Sequence, residues 1–309
     1  LIHAVEDNAD AIFTWGYDKG ERARLDKLYE KAKVSQWNGQ TDLDWSIDVD
    51  PYKVLAPADP AEVAYFAENP ESPLYKLNEK EWEDLGVESM NWSLSQFLHG
   101  EQGALVCTAK IVETVPWIDA KYYAATQVVD EARHVEAFAR YLDEKMPATY
   151  PINENLKSLI DQVLRDERWD LVYLGMQVVI EGLALAAFGL MLGTTQEPLL
   201  KAMLRYVMAD EARHVAFGVL SLQEVYQELT VAELRDRQEF AFEAALHRRR
   251  KVTAVHKANV LRQTDGLFLE AVRHVAGDYP TVSLEEVIVD AMAAHLVRDA
   301  SVYDVVVTT

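Results

Sequence analysis

A chain of 309 residues, half of them hydrophobic, is long enough for one large or two smaller compact units with a substantial core. Thirty Lys and Arg against 51 Asp and Glu leave a formal net charge of −21, which repels nucleic acid and anionic membrane surfaces and argues against both as partners. The single cysteine, Cys107, lies in an apolar run with helical spacing, so neither a disulfide framework nor a thiolate metal site is expected. A reducing cytoplasm suits this composition, and no basic-then-apolar leader is visible in residues 1–20.

The pattern predicts an all-α chain: an N-terminal helix and wrapping segment over 1–86, a four-helix core over 87–229, and C-terminal helices over 230–309 packed on it as one domain. Between Asp18 and Trp37 the apolar positions Leu25, Leu28, Tyr29 and Ala32 have helical spacing. From Asn38 to Pro73, Asp and Pro residues predict loops and short turns, with Trp45, Tyr52, Tyr65 and Phe66 as packing residues. The first core helix is expected from Val87 to Val115, stopped by Pro116, and the second from Ile118 to Lys145, ended by Pro147 and Pro151. A crossover helix at Asn153–Arg168 leads to a third core helix, Asp170–Leu192, with Gly193 as its stop. The run Leu171–Leu192 is apolar enough to suggest a membrane span, but Glu181 at its centre would cost roughly 2.5–3.5 kcal/mol there. A helix buried in a bundle accounts for both features.

The motif Thr194-x-x-Glu197 reads as a capping box, with Pro198 in the first turn of a fourth core helix ending near Leu229. Beyond Thr230, helices are expected at 231–252, 254–276 and 283–299, the last opened by Ser283-x-x-Glu286. The basic run His247-Arg248-Arg249-Arg250-Lys251 reads as helix-end charge balancing acidic neighbours; docking of an acidic electron-transfer partner is the alternative.

One pentapeptide organises the core. Asp130-Glu131-Ala132-Arg133-His134 returns unchanged as Asp210-Glu211-Ala212-Arg213-His214, each copy inside a long helical pattern. Positions i and i+3 share a helix face, so Glu131 with His134, and Glu211 with His214, can each offer a carboxylate and an imidazole to one metal ion. Thirty residues before each copy stands a glutamate in an apolar stretch, Glu101 and Glu181, so the unit repeats with an offset of 80. A duplicated bundle whose carboxylates only pair with Arg133 and Arg213 is the competing reading. Four buried carboxylates near one another need cations, which favours metal. His99, two residues before Glu101, faces elsewhere and reads as a hydrogen-bonded structural histidine.

Two glutamates from two helices plus a Glu-x-x-His from each of two others is the ligand set of the ferritin-like di-iron or di-manganese carboxylate bundles, and residues 87–229 resemble that superfamily. The resemblance implies Glu101, Glu131 and His134 around one metal and Glu181, Glu211 and His214 around the other, with Glu131 and Glu211 as bridging candidates. It also implies that Asp210 holds His134 and Asp130 holds His214 across the bundle, with Arg133 and Arg213 pairing to those aspartates. Oxygen-rich ligation with one imidazole per metal suits two irons, two manganese ions or a mixed pair.

The subfamilies are not matched cleanly. Phe138 stands where ribonucleotide reductase small subunits carry a radical tyrosine, Leu185 where multicomponent hydroxylases carry a threonine, and Val207 where aminoarene N-oxygenases carry a third histidine. With Leu105 these residues make an apolar surround suited to a small hydrophobic or aromatic substrate, or plain core. The function implied is that of a di-iron oxygenase or oxidase that uses dioxygen for hydroxylation, N-oxygenation or desaturation. Its electrons come from an external ferredoxin or reductase, because no flavin, nicotinamide or iron–sulfur motif is present. Iron storage with ferroxidase activity and di-manganese peroxide dismutation are the alternatives, and the long aliphatic helices suit a homodimer.

Overall fold

The computed structural model describes residues 2–228, 231–256, 258–259, 264–288, 291–292, 295 and 300–308. The chain divides into two compact units, Leu1–Leu222 and Gln223–Thr309, where a single domain was expected.

The first unit is the expected ferritin-like bundle. Its outer helix α1 (Ala23–Val34) and the short α2 (Pro60–Ala67) precede the core helices α3 (Glu79–Thr114) and α4 (Ile118–Lys145). The α3 helix starts eight residues before the expected Val87 because Asn78 and Glu81 cap it reciprocally. Glu81 N–H donates to Asn78 Oδ1 at 3.0 Å, and Asn78 N–H donates to Glu81 Oε2 at 2.8 Å. The helix stops at Thr114, ahead of Pro116 as expected, and α4 keeps the predicted bounds.

The crossover helix α5 (Glu154–Arg165) buries Ile160 and Val163. It approaches α3 closely at Gly103, where an added Cβ would lie 2.5 Å from Ile160 Cδ1. The third core helix is continuous from Trp169 to Thr194 but not uniform: α6 (Trp169–Tyr173) passes through a π-helical stretch, Leu174–Ile180, into α7 (Glu181–Thr194). Among the described residues this is the one helix long and apolar enough to cross a membrane. Its Tyr173, Gln177 and Glu181 are buried in the bundle, whereas Leu183 and Leu190 are exposed.

The fourth core helix α8 (Pro198–Glu228) begins at Pro198 as expected, but its cap differs. Thr194 Oγ1 bonds back to Leu190 O, and the Glu197 carboxylate itself accepts from Leu199 N–H at 2.8 Å and Leu200 N–H at 2.5 Å. The expected end at Leu229 lies outside the described residues. The aliphatic and aromatic core of the unit includes Trp37, Leu94, Phe138, Tyr141, Leu199 and Val207.

The second unit corrects the all-helical expectation for 230–309. Helices α9 (Val231–Leu246) and α10 (Thr264–Asp278) accompany a three-stranded parallel sheet in the order β2-β1-β3, with β1 Lys251–His256, β2 Ser283–Ile288 and β3 Val305–Thr308. In register, Lys251 pairs with Ser283 and Val252 with Val305. Val252, Ala254, Phe242, Phe268 and Val272 form the core on one side of the sheet. Where a helix was expected to open at Ser283, residues 283–288 pair with β1 instead, and Glu286 does not return to cap Ser283. It forms a two-pronged ion pair with Arg273 of α10, both contacts at 2.7 Å. Residues 289–290, 293–294 and 296–299 of that expected helix lie outside the described residues. The basic run is engaged within the unit: Arg248 pairs with Asp304 at 3.0 Å and Lys251 with Glu285 at 2.8 Å.

Candidate metal centre

The repeat places its chemistry at the level where the four core helices face one another. Glu101 projects from α3, Glu131 and His134 from α4, Glu181 from the start of α7, and Glu211 and His214 from α8; all six are buried. His134 Nδ1 lies 3.2 Å from Glu101 Oε2, 3.4 Å from Glu131 Oε2 and 3.1 Å from Glu211 Oε1. His214 Nδ1 lies 3.2 Å from both Glu131 Oε1 and Glu211 Oε2, and 3.8 Å from Glu181 Oε2. Each imidazole therefore turns the same nitrogen inward, and Glu131 and Glu211 each present one oxygen to either histidine.

Two groups able to hold a metal ion result: Glu101, Glu131, His134 and Glu211, and Glu131, Glu181 and His214, each with its ligand atoms within 4.8 Å of one another. The fit to cations does not rest on proximity alone. Glu101 Oε1, Glu131 Oε2 and Glu211 Oε1 are buried without a hydrogen-bond partner. A carboxylate oxygen left so in a protein interior costs several kcal/mol, and a bound divalent ion removes that cost.

Electrostatics express the same strain. Burial pushes Glu101 up to about 7, outweighing the favourable charge of His134. Burial and then the Glu211 charge raise Glu181 well above the usual carboxylate range. For His134 and His214 burial works toward the neutral form, but the surrounding carboxylates prevail and hold both well above the usual imidazole value. A metal-free site thus stores protons that a metal would displace.

Outside the ligand atoms, the outward nitrogens cross the bundle. His134 Nε2 lies 3.1 Å from Asp210 Oδ2, and His214 Nε2 lies 3.3 Å from Asp130 Oδ2. Arg133 Nη2 donates to Asp130 at 2.5 Å and to Asp210 at 3.1 Å. Arg213 donates to Asp210 and lies 3.6 Å from Asp130. Although burial opposes it, contact with the histidines and arginines keeps both aspartates below the usual carboxylate range.

Three participants escaped the sequence reading. Trp37 Nε1–H donates to Asp210 Oδ2 at 2.8 Å, and Gln36 Nε2–H donates to Asp130 Oδ1 at 2.9 Å. Gln127, one turn before Glu131, donates to Glu131 Oε1 at 2.8 Å and Glu181 Oε1 at 3.0 Å. Gln127 could have been found from its i, i+4 relation to Glu131. Trp37 and Gln36 carry no such signal, since only the fold brings the segment after α1 to the motif.

Of the four apolar residues suggested as a substrate surround, Phe138 and Val207 belong to one core cluster. Phe138 and Val207 are fully buried in the core, Leu105 and Leu185 only partly buried, and none lines either of two surface cavities of about 290 and 360 Å³. Phe138 instead joins Phe97 and Phe188, at ring separations of 6.0 and 5.8 Å, and Phe97 lines the larger cavity. His99 is bonded to Tyr150 O at 2.9 Å.

Comparison with known proteins gives two separate likenesses. Residues 167–309 match the family model for isocitrate/isopropylmalate dehydrogenase. An isocitrate dehydrogenase [NAD] regulatory subunit 1 of Arabidopsis thaliana is 51% identical over 70 residues, 22% of this chain and 19% of the relative. A 3-isopropylmalate dehydrogenase of Saccharolobus solfataricus is 55% identical over 69 residues, 22% of this chain and 20% of the relative. The chain therefore spans about a fifth of the length of these curated relatives. Among solved structures, an R2-like ligand-binding oxidase reconstituted with a Mn/Fe cofactor superposes with a TM-score of 0.53 at 18% identity, covering 93% of this chain and 96% of that one. That likeness supports the ferritin-like helical fold.

Proposed function

We propose that Glu101, Glu131, His134, Glu181, Glu211 and His214 hold two metal ions, iron or a manganese–iron pair, and that the loaded protein is an oxidoreductase using dioxygen on a small hydrophobic organic substrate. Hydroxylation, N-oxygenation and desaturation all fall within this chemistry. The observation that carries the reading is the convergence of four buried carboxylates and two inward imidazole nitrogens, with three carboxylate oxygens lacking a hydrogen-bond partner. Bound metals of this kind supply two-electron redox chemistry toward dioxygen.

The chain's own residues provide the setting. Glu131 and Glu211 each offer one oxygen toward His134 and the other toward His214, and would help hold a metal ion beside either imidazole. Asp210 and Asp130 fix the tautomer and orientation of His134 and His214 by accepting from their outward nitrogens. The four glutamate charges balance two divalent ions, which makes the loaded site tolerable in a bundle core. The larger cavity, lined by Trp92, Phe97, Leu190 and Met191, is the proposed approach for an apolar substrate, with Phe138 between Phe97 and the His134 turn. An external ferredoxin or reductase supplies the electrons.

The dehydrogenase match overlaps the segment that supplies Glu181, Glu211 and His214. Over the overlapping residues 167–222, the buried cluster that includes Glu181, Glu211 and His214 supports the metal reading. For the second unit, a parallel sheet accompanied by helices is the architecture of α/β enzymes, in keeping with that likeness. The function is tested by dioxygen uptake of the iron-loaded protein with a chemically reduced ferredoxin. Uptake that disappears in Glu101→Ala supports it, and equal uptake in that variant overturns it.

A further inference from the structure

Next to the carboxylates the bundle interior stays polar where packing would favour aliphatic residues. Tyr123 on α4, Tyr173 on α6, Gln177 in the π-helical stretch and Ser221 on α8 are all fully buried. Tyr123 Oη and both amide atoms of Gln177 lack a hydrogen-bond partner. Gln127 Oε1 is in the same state, while its Nε2 holds Glu131 and Glu181.

These groups belong to one column. The rings of Tyr123 and Tyr173 both pack on Phe217, at 4.4 and 5.0 Å between centroids. Ser221 stands one turn beyond Phe217 on α8, and its hydrogen bond with Tyr173 opposes the upward push of burial on the Tyr173 phenol. Gln177 stands four residues from both Tyr173 and Glu181. It presses on α8, since a Cβ added to Gly218 would lie 2.5 Å from Gln177 Cβ. The π-helical stretch Leu174–Ile180 is centred on Gln177, and such distortions recur at functional sites.

A buried polar atom without a partner costs about 1–3 kcal/mol, and several in one column would be hard to sustain. Protein interiors meet this need with ordered water, which requires two to four polar partners per molecule, and here the partners are in place.

We infer that Gln127, Gln177, Tyr123, Tyr173 and Ser221 line an internal water-binding compartment that ends on Glu131 and Glu181. The water binding stands on the polar column alone, independent of the proposed function.

The test is a crystal structure of the full chain, metal-free and iron-loaded, with ordered water resolved. The compartment predicts waters within hydrogen-bond distance of two or more of these side chains in both forms, lost in Gln177→Leu and reduced in the milder Ser221→Ala. Direct bonds from the Gln177 amide or the Tyr123 hydroxyl to neighbouring side chains, with no water between them, would overturn it. Waters found in a chain that retains no metal would sink the proposed function and leave the compartment standing; a dry column in a chain that loads iron and consumes dioxygen would do the reverse.

Discussion

The Trp37 indole donates to Asp210 Oδ2 at 2.8 Å, and the same oxygen lies 3.1 Å from His134 Nε2. This fastens the segment after α1 to one half of the repeated motif. The adjacent Gln36 fastens it to the other half through Asp130, which faces His214. An otherwise symmetric pair of motifs is thereby made unequal, with an indole on one side and an amide on the other. Trp37 also stacks on Tyr206 at 4.9 Å and carries the Arg133 guanidinium over its ring at 4.8 Å.

Trp37→Phe keeps the ring and removes the donor. Asp210 retains its arginine contacts but loses the bond that directs it at His134. The affinity of one metal position is expected to fall about 10–100-fold, as is usual for partners that orient a ligand. The metal-free protein should lose about 1–2 kcal/mol. A chelator competition titration resolves the two ions; equal weakening of both, or of neither, would contradict the link between Trp37 and the His134 position.

Metal-free protein should lose stability as the pH rises from about 5 to about 8. Glu101, lifted by burial to about 7, and Glu181, lifted well above its ordinary value, bind protons more tightly folded than unfolded. Despite their burial, His134 and His214 are also held above the usual imidazole value by the carboxylates. All four shifts have the same sign: their stabilisation is full below the unfolded values and is lost as pH climbs through the folded ones. Asp130 and Asp210, shifted down, change only in acid and stay constant in this window. Calorimetry in chelator across this range should show a falling Tm, and divalent metal should reverse the trend because it displaces those protons. A flat or rising Tm in chelator would contradict the assignment.

Gly218→Ala is expected to cost about 1–3 kcal/mol. The new methyl would meet Gln177 Cβ at 2.5 Å and its carbonyl carbon and oxygen at 3.3 and 3.4 Å, so backbone must move and the third and fourth core helices must part. Gly182→Ala is the control. Nothing lies within 4 Å of its added Cβ, and removing a helical glycine there should be neutral or gain up to about 1 kcal/mol. Urea unfolding of both variants measures the difference.

The bundle was legible because its signals are local and repeated. Pro116 ends α3, the pattern from Ile118 to Lys145 gives α4, and the doubled motif with Glu101 and Glu181 puts six side chains at one level. What stayed hidden depends on distant chain segments. Trp37 reaches Asp210 across 173 positions, and no spacing announces it. The second unit misled for another reason. Val252, Thr253 and Val255 are β-branched residues in a short run, where helix and strand cannot be told apart by periodicity. Ser283 and Glu286 matched a capping pattern by spacing alone, whereas the parallel ladder to β1 decided their conformation.

Counting metal on the chain tests the central claim most directly. Metal-free protein is loaded anaerobically with excess ferrous ion, alone or with equimolar manganese, then desalted and analysed beside Glu101→Ala. Six converging ligands predict about two ions per chain in the parent and fewer in the variant. No retained metal, tens of ions per chain, or equal retention in Glu101→Ala would contradict the account.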